Sequence, residues 1–338
     1  MLKRLLLGLV ISAVCVYLAF RHVDFSSMLL ALESANYWWL LPAVGLMFLS
    51  LWLRAIRWRY FMEPIKPVDF PKLFSAMMIG YMANNVFPLR LGEFLRAYAI
   101  GKSAGVSKAA SFATIVVERI IDLLSLLAIL ALTVFYHTFP DWIETTGWLI
   151  FAGSLGFVVF VVFLMERTEQ TLRVVEIILK PLPPRLVQQA RTILRSFLDG
   201  FAVFKRAEHY WTIAWQSIVM WLAYAGIVYV TLLSFHLQTA YDLPWITSLV
   251  VLVMVSIGIM IPSSPGYVGT YHLLCIQAMA FFSVPASEAA GFAVVLHVVN
   301  FIPVTLVGLV YFWKENLQLK EATLPSENGQ MNDAEPLR

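Results

Sequence analysis

Glu118, Arg119 and Asp122 stand in the run Val116-Val-Glu118-Arg119-Ile-Ile-Asp122, ahead of fourteen uncharged residues that end at Tyr136. Fourteen helical residues measure about 21 Å, short of a hydrocarbon core of roughly 30 Å, so the three charges lie within membrane depth. Glu118 and Asp122, four apart, share one helix face, and Arg119 lies about 100° away around the axis. Ionisable groups at such depth are costly and turn toward a partner or a cavity. Two readings follow: an internal ion pair tying this helix to a neighbour, or the lining of a cavity.

A second set lies in Asn84-Asn85-Val-Phe-Pro88-Leu-Arg90-Leu-Gly92-Glu93-Phe-Leu-Arg96. Spaced by threes, Arg90, Glu93 and Arg96 fall on one side of a helix that follows Pro88. Planar guanidinium forks suit bidentate recognition of phosphate. Asn85 adds a neutral amide beside them. A further interrupted segment, Pro262-Ser263-Ser264-Pro265-Gly266-Tyr267-Val-Gly269-Thr270-Tyr271-His272, offers hydroxyls and an imidazole but no fixed charge. An anionic group could meet cations near the first break and hydroxyls near the second. Arg54 and Arg57, near the positive end of an apolar run, are expected to snorkel to lipid headgroups. His297 is expected to hydrogen-bond a neighbouring helix. Neither a nucleophile elbow, a phosphate-binding loop nor a His/Cys metal cluster occurs, so no catalytic residue, metal or cofactor is expected.

The elements that carry these residues are membrane helices. Of 338 residues, 60% are hydrophobic and 13% charged, half the charge of an ordinary soluble domain, and the mean hydropathy is +0.77. That composition excludes a soluble enzyme, a disordered chain and a disulfide scaffold, and Cys15 and Cys275 both sit in apolar runs. Apolar runs over 5–20, 37–60, 111–136, 148–165, 211–235 and 289–313 read as six full crossings. The net charge of +3 counts for less than its placement. Lys3, Arg4, Arg54, Arg57 and Arg59 flank ends expected in the cytoplasm, as is the loop 166–208, with eight Lys/Arg against five Asp/Glu. Within that loop Leu186, Ala190, Ile193, Leu194, Phe197, Phe201 and Phe204 recur at helical spacing, which predicts an amphipathic helix lying on the membrane.

The two interrupted segments, 69–107 and 243–284, lie 174 residues apart when Pro88 and Gly92 are set on Pro262 and Gly266. The same offset places Tyr37 on Trp211 and Thr114 on Glu288, so the order helix, helix, broken segment, helix recurs. Charge placement leaves the first segment between two cytoplasmic ends and the second between two outer ends. The expected fold is therefore an all-α polytopic membrane protein with an inverted-topology repeat, about six crossings and two opposed re-entrant hairpins. Its first repeat covers about 1–137 and its second about 148–315, the linker 166–208 belongs to the transmembrane domain 1–315, and 316–338 is a polar cytoplasmic tail. The alternative makes each hairpin arm a full crossing. Broken, Gly/Pro-interrupted segments at matching places in two halves point to a transporter's binding site.

The Asn84–Arg96 run resembles a signature of the lysylphosphatidylglycerol synthetase/flippase membrane-domain family. Glu118-Arg119-Ile-Ile-Asp122 and Pro262–Gly269 look like two further signatures, and the resemblance covers about residues 1–315. It implies a protein of the bacterial or archaeal plasma membrane that moves lipids or glycolipids between leaflets. Multidomain members carry a soluble aminoacyl-transferase domain after the membrane part, where a short polar tail follows Trp313, so lipid aminoacylation is not expected. Members often have an acidic residue shortly after the Pro-Gly motif, where this chain has His272, which puts ion coupling through that position in doubt.

The leading expectation is a lipid transporter, not an enzyme, with both termini cytoplasmic. Its substrate site would draw on Arg90, Glu93, Arg96, Glu118, Arg119, Asp122, Asn85, Ser263, Ser264, Tyr267 and His272. In it Arg90 and Arg96 would hold phosphate while Glu118 and Asp122 balance charge or carry a proton. The runner-up is an accessory protein that presents lipid to an envelope-lipid enzyme. A membrane glycosyltransferase is weaker, because Glu118 and Asp122 lie too deep for an acidic pair at an aqueous face. The partners expected are a membrane lipid and either a second copy of the chain or such an enzyme, with no nucleic acid.

Overall fold

A computed structural model describes residues 2–87, 91–136, 166–179, 183–199, 209–261 and 263–315, with scattered positions between 145 and 163. The crossing expected over 148–165 falls largely outside the described residues, as do the tail, Pro262 and Pro88–Arg90. Among the described residues the regular elements are all helical. They are α1 (Leu2–Phe20), α2 (Phe25–Ser34), α3 (Leu40–Met62), α4 (Phe70–Val86), α5 (Gly92–Ala104), α6 (Lys108–Tyr136), α7 (Thr168–Leu179), α8 (Pro184–Asp199), α9 (Tyr210–Ser234), α10 (Leu237–Ala240), α11 (Ile246–Met260), α12 (Thr270–Ala280) and α13 (Ala286–Lys314). Among the described residues three stretches, Tyr37–Met62, Tyr210–Ser234 and Ala286–Lys314, are long and apolar enough to cross a membrane. α1 and α2 form a further apolar pair bent by 83°. The second member of that pair was not expected. Asp24 starts it, accepting hydrogen bonds from the N–H groups of Ser26 and Ser27.

Both interrupted segments fold as helical hairpins. Phe87 and Ile261 each precede a proline and each adopt extended backbone, which stops α4 and α11. In the first hairpin α4 packs along α5, and Gly92 closes against Gly80, where a Cβ on Gly92 would overlap the Gly80 carbonyl oxygen. The chain leaves α5 through Gly105, a left-handed cap at φ +60°. Lys66, just ahead of α4, donates from Nζ to the Ala104 carbonyl at 2.9 Å, so the two ends of the hairpin lie side by side. In the second hairpin α11 packs along α12, and the Tyr241 hydroxyl donates to Glu288 Oε1 at 2.7 Å, again joining the approaches. Helices of 13 and 11 residues, α5 and α12, measure about 20 Å and 16 Å, too short for a full crossing.

α3 and α9 pack against each other along their lengths in opposite directions. His209, at the start of α9, lies 3.1 Å from Glu63 at the end of α3, and Asn36 N–H donates to the Ser234 carbonyl at 2.8 Å at the other end. The first hairpin follows the end of α3 and the second follows the end of α9, so they approach from opposite ends of this pair. The contacts also come in matching sets. α4 on α13 is matched by α11 on α6, α5 on α6 by α12 on α13, and α3 on α4 by α9 on α11. α1 packs on the second hairpin, where Ser12 Oγ accepts from the Ser264 N–H at 2.8 Å.

The amphipathic stripe expected after Arg185 lies on α8, with Phe201 and Phe204 outside the described residues. α8 packs on α6 through Phe197 and Phe112, and Arg191 pairs with Glu176 of α7 at 2.9 Å. Ile193 and Leu186 on α8 stay exposed.

Candidate functional site

Three helices, α3, α5 and α6, bring a charge cluster together. Arg54 Nη1 donates to Glu118 Oε1 at 2.9 Å and makes a short contact with Asp122 Oδ2. Arg57 Nη2 reaches Asp122 Oδ1 at 2.6 Å, and its Nη1 donates to Ser217 Oγ on α9 at 2.8 Å. Arg96 grips both oxygens of Glu118, at 3.0 and 2.8 Å, with its guanidinium 3.7 Å from the centre of the Trp58 ring. The Trp58 indole is itself fixed by donating to Thr114 Oγ1 at 2.9 Å. Paired, hydrogen-bonded charges of this kind are the form in which ions persist away from water.

Arg119 is placed differently. It lies 3.5 Å from Glu118, 3.6 Å from Asp122 and 3.9 Å from Glu93, and its side chain is 38% exposed. It faces a cavity of about 690 Å³ between α3, α6, α9, α11 and α13. Arg54, Asp122, Glu93 and Asn84 join it in the polar part of the lining, while Leu51, Ile115, Leu126, Val228 and Leu252 are among the apolar part. The volume falls within the roughly 300–1,000 Å³ usual for small-molecule sites. The cavity can hold charge and hydrocarbon together.

The family model described as lysylphosphatidylglycerol synthase TM region matches residues 5–308. The chain belongs to this family. Among chains similar to this member is a UPF0104 membrane protein of Methanothermobacter thermautotrophicus, 25% identical over 297 residues, covering 82% of this chain and 86% of its own. The UPF0104 membrane protein MJ1595 of Methanocaldococcus jannaschii is 19% identical, over 89% of this chain and 92% of its own. Glycosyltransferase AglD of Haloferax volcanii is 24% identical over 97% of this chain, which spans 57% of AglD's length. The protein is an integral membrane protein of the lysylphosphatidylglycerol synthase transmembrane family.

Of the residues singled out in the sequence of this family member, Glu93, Arg96, Glu118, Arg119 and Asp122 come together. Their roles differ from those expected. In the structure both Nη groups of Arg96 donate to the fully buried Glu118 rather than to Glu93. Glu118 is enclosed by Arg54 and Arg96 and does not line the large cavity. Arg54 and Arg57 do not snorkel: both are buried, since the carboxylates of α6 lie within reach. Arg90 lies outside the described residues. Asn85 and Tyr267 line the cavity, Asn85 also donating to Thr305 Oγ1 on α13 at 2.8 Å. Ser263 and His272 turn elsewhere, toward Thr270 and the His297 ring, and the Ser264 hydroxyl donates to the Pro265 and Val268 carbonyls at 3.4 Å. His297 Nε2 bonds the Gly266 carbonyl at 2.8 Å, which pins the second break to α13.

Sequence reasoning missed Asn300, Tyr81, Tyr224 and Trp221 as cavity residues. It also misjudged Arg54, although a signal was present. Eight residues, about 12 Å of helix, separate Arg54 from the end of α3 at Met62.

Proposed function

We propose that the protein carries a phosphate-bearing lipid or glycolipid between the leaflets of a plasma membrane, without catalysing a covalent step. The observation that carries this reading is the mixed lining of the cavity, with Arg119 and Asp122 set among hydrocarbon side chains. A lipid's headgroup and chain need those two environments together. The architecture supports the same reading. Two hairpins approaching from opposite ends of the antiparallel α3/α9 pair, with matched contacts around them, fit an inverted-topology repeat in one domain over 1–315. Six crossings with cytoplasmic termini complete it. Both breaks flank the cavity, as in carriers that alternate exposure around a midplane site.

The AglD resemblance favours a second reading. A relative named a glycosyltransferase is longer than this chain, which suits a membrane region that holds lipid for an enzyme. Leaflet-specific labelling of fluorescent lipids in proteoliposomes separates the two. A carrier accelerates protection of labelled lipid from an external quencher, whereas a presenting protein binds lipid and leaves its rate of exchange at that of empty vesicles.

A further inference from the structure

Two histidines hold the second break on either side of Tyr267. His297 Nε2 lies 2.8 Å from the Gly266 carbonyl oxygen, and the Gly269 N–H points at His272 Nδ1 at 3.5 Å. Between them Tyr267 takes φ +59°, a left-handed backbone that is costly for a residue with a side chain. Tyr267 also lines the cavity, so the break forms part of its edge. The partners fix both tautomers. A carbonyl only accepts, so His297 Nε2 carries a hydrogen; an amide N–H only donates, so His272 Nδ1 keeps its lone pair.

A proton acts differently on the two rings. His297 would still donate to Gly266. His272 would set an N–H against the Gly269 N–H, in the first turn of α12, where the helix dipole also opposes a cation. The His297 ring, its centre 4.8 Å away, offers no negative charge. Few titratable groups stand on the elements packed here. α12 itself has Tyr271 and Cys275, α1 brings Cys15 and Tyr17, α4 brings Tyr81 to the break, and α11 has none. Arg21, His22 and Asp24 follow α1, and Glu288 lies nine residues before His297 on α13. Both acids are engaged elsewhere, Asp24 with the Ser27 hydroxyl at 2.6 Å and Glu288 with the Tyr241 hydroxyl at 2.7 Å. Among the described residues neither imidazole has an ion-pair partner. The closed break therefore requires a neutral His272.

We propose that His272 is a proton-binding residue whose protonation releases the second break, so that acid opens this edge of the cavity. The proton comes from water and rests on Nδ1, at the cost of the one hydrogen bond from Gly269. The test uses the full-length protein in detergent with Cys15→Ser and Cys275→Ala. A trifluoromethyl tag sits on Val268→Cys, an exposed position within the break. Fluorine NMR follows the tag from about pH 8 to about pH 5, the range in which histidine changes charge. One signal should give way to a second as pH falls, their ratio changing by up to about 10-fold per pH unit, the limit for one proton. His272→Gln, whose amide oxygen accepts from Gly269 at any pH, should keep the first signal throughout. His297→Gln should retain the response, because His272 still titrates. A tag on Thr239→Cys, away from the break, should not respond. A Val268→Cys signal indifferent to pH overturns the proposal. So does a response that survives His272→Gln, is lost in His297→Gln, or appears equally at Thr239→Cys. Should His272→Gln not fold, nitrogen-15 NMR of the histidines in the parent decides. His272 must gain its proton over the pH range in which the fluorine signal changes, and a His272 that stays neutral there overturns the proposal. No lipid movement enters the test, so its outcome leaves the carrier reading untouched.

Discussion

Arg96 closes on Glu118 through two parallel hydrogen bonds, and the same carboxylate receives Arg54 from a third helix, so one buried acid joins α3, α5 and α6. Removing one member of such a group strands the others without compensation. Glu118→Gln should therefore destabilise the fold by about 3–5 kcal/mol, read as a lower unfolding temperature and poorer recovery in detergent. Arg96→Met in the same chain should restore part of the loss by removing one stranded cation. A Glu118→Gln protein as stable as its parent would refute the pairing.

Gly92 faces the Gly80 carbonyl so closely that no side chain fits between α4 and α5. Gly92→Ala should prevent the first hairpin from closing and leave little folded protein. Gly45, exposed on α3, is the control, because a Cβ added there would meet nothing within 4 Å. Gly45→Ala should stabilise the helix by about 0.5–1 kcal/mol. Comparable fluorescence-detected size-exclusion profiles for both variants would contradict this.

Single cysteines report the topology. Ser75 is unsuited to labelling because it is buried and donates to Glu315 at 2.9 Å. Lys72→Cys and Ser107→Cys, exposed at the two ends of the first hairpin, should react with impermeant maleimide from one side of the membrane. Thr239→Cys and Ser283→Cys, near the ends of the second, should react from the other. Opposite labelling of Lys72→Cys and Ser107→Cys would make α4 and α5 separate crossings.

Two contacts, one exposed and one half-buried, give the protein opposite responses to pH. The Ser27 hydroxyl and the amides behind it hold the Asp24 carboxyl below the usual carboxylate range. Its contribution is complete above the unfolded value of about 4 and is lost as pH falls through the lower folded value. Burial, and then the hydrogen bond to Glu288, push the Tyr241 phenol up to about 12. That contribution is complete below about pH 10 and is lost as pH rises toward 12. The stability gap between wild type and Asp24→Ala should thus shrink in acid, and that between wild type and Tyr241→Phe in strong base. Gaps that do not change with pH would rule out both linkages.

Much of the architecture was legible because membrane helices declare themselves locally. Hydropathy marked the runs that became α3, α9 and α13, and Pro88 and Pro262 marked the two stops, because proline acts on the residue just before it. α2 escaped notice since a ten-residue helix is too short to register as a span, although Asp24 ahead of two serines was a cap signal. The candidate site was legible only in part. The depth of Glu118 followed from counting residues, but its partners come from helices 22 and 64 positions away, and spacing within one helix says nothing of these. Arg54 and Arg57 therefore took the reading that suits an arginine near a helix end, until packing set α6 beside them.

The strong bonds of the central cluster all lie within α3, α5 and α6, and α9 meets them with neutral groups, Ser217 on Arg57 and Tyr224 on Arg54. A sliding movement of α9 against these helices thus meets only neutral groups at the cluster, with Glu63 and His209 in contact at the far end of the pair. It would exchange hydroxyl contacts, each worth about 1.5–3 kcal/mol when made to an ion and replaceable by water, and leave every buried carboxylate in its clasp. The charged half can act as a rigid anvil while the neutral half moves over it.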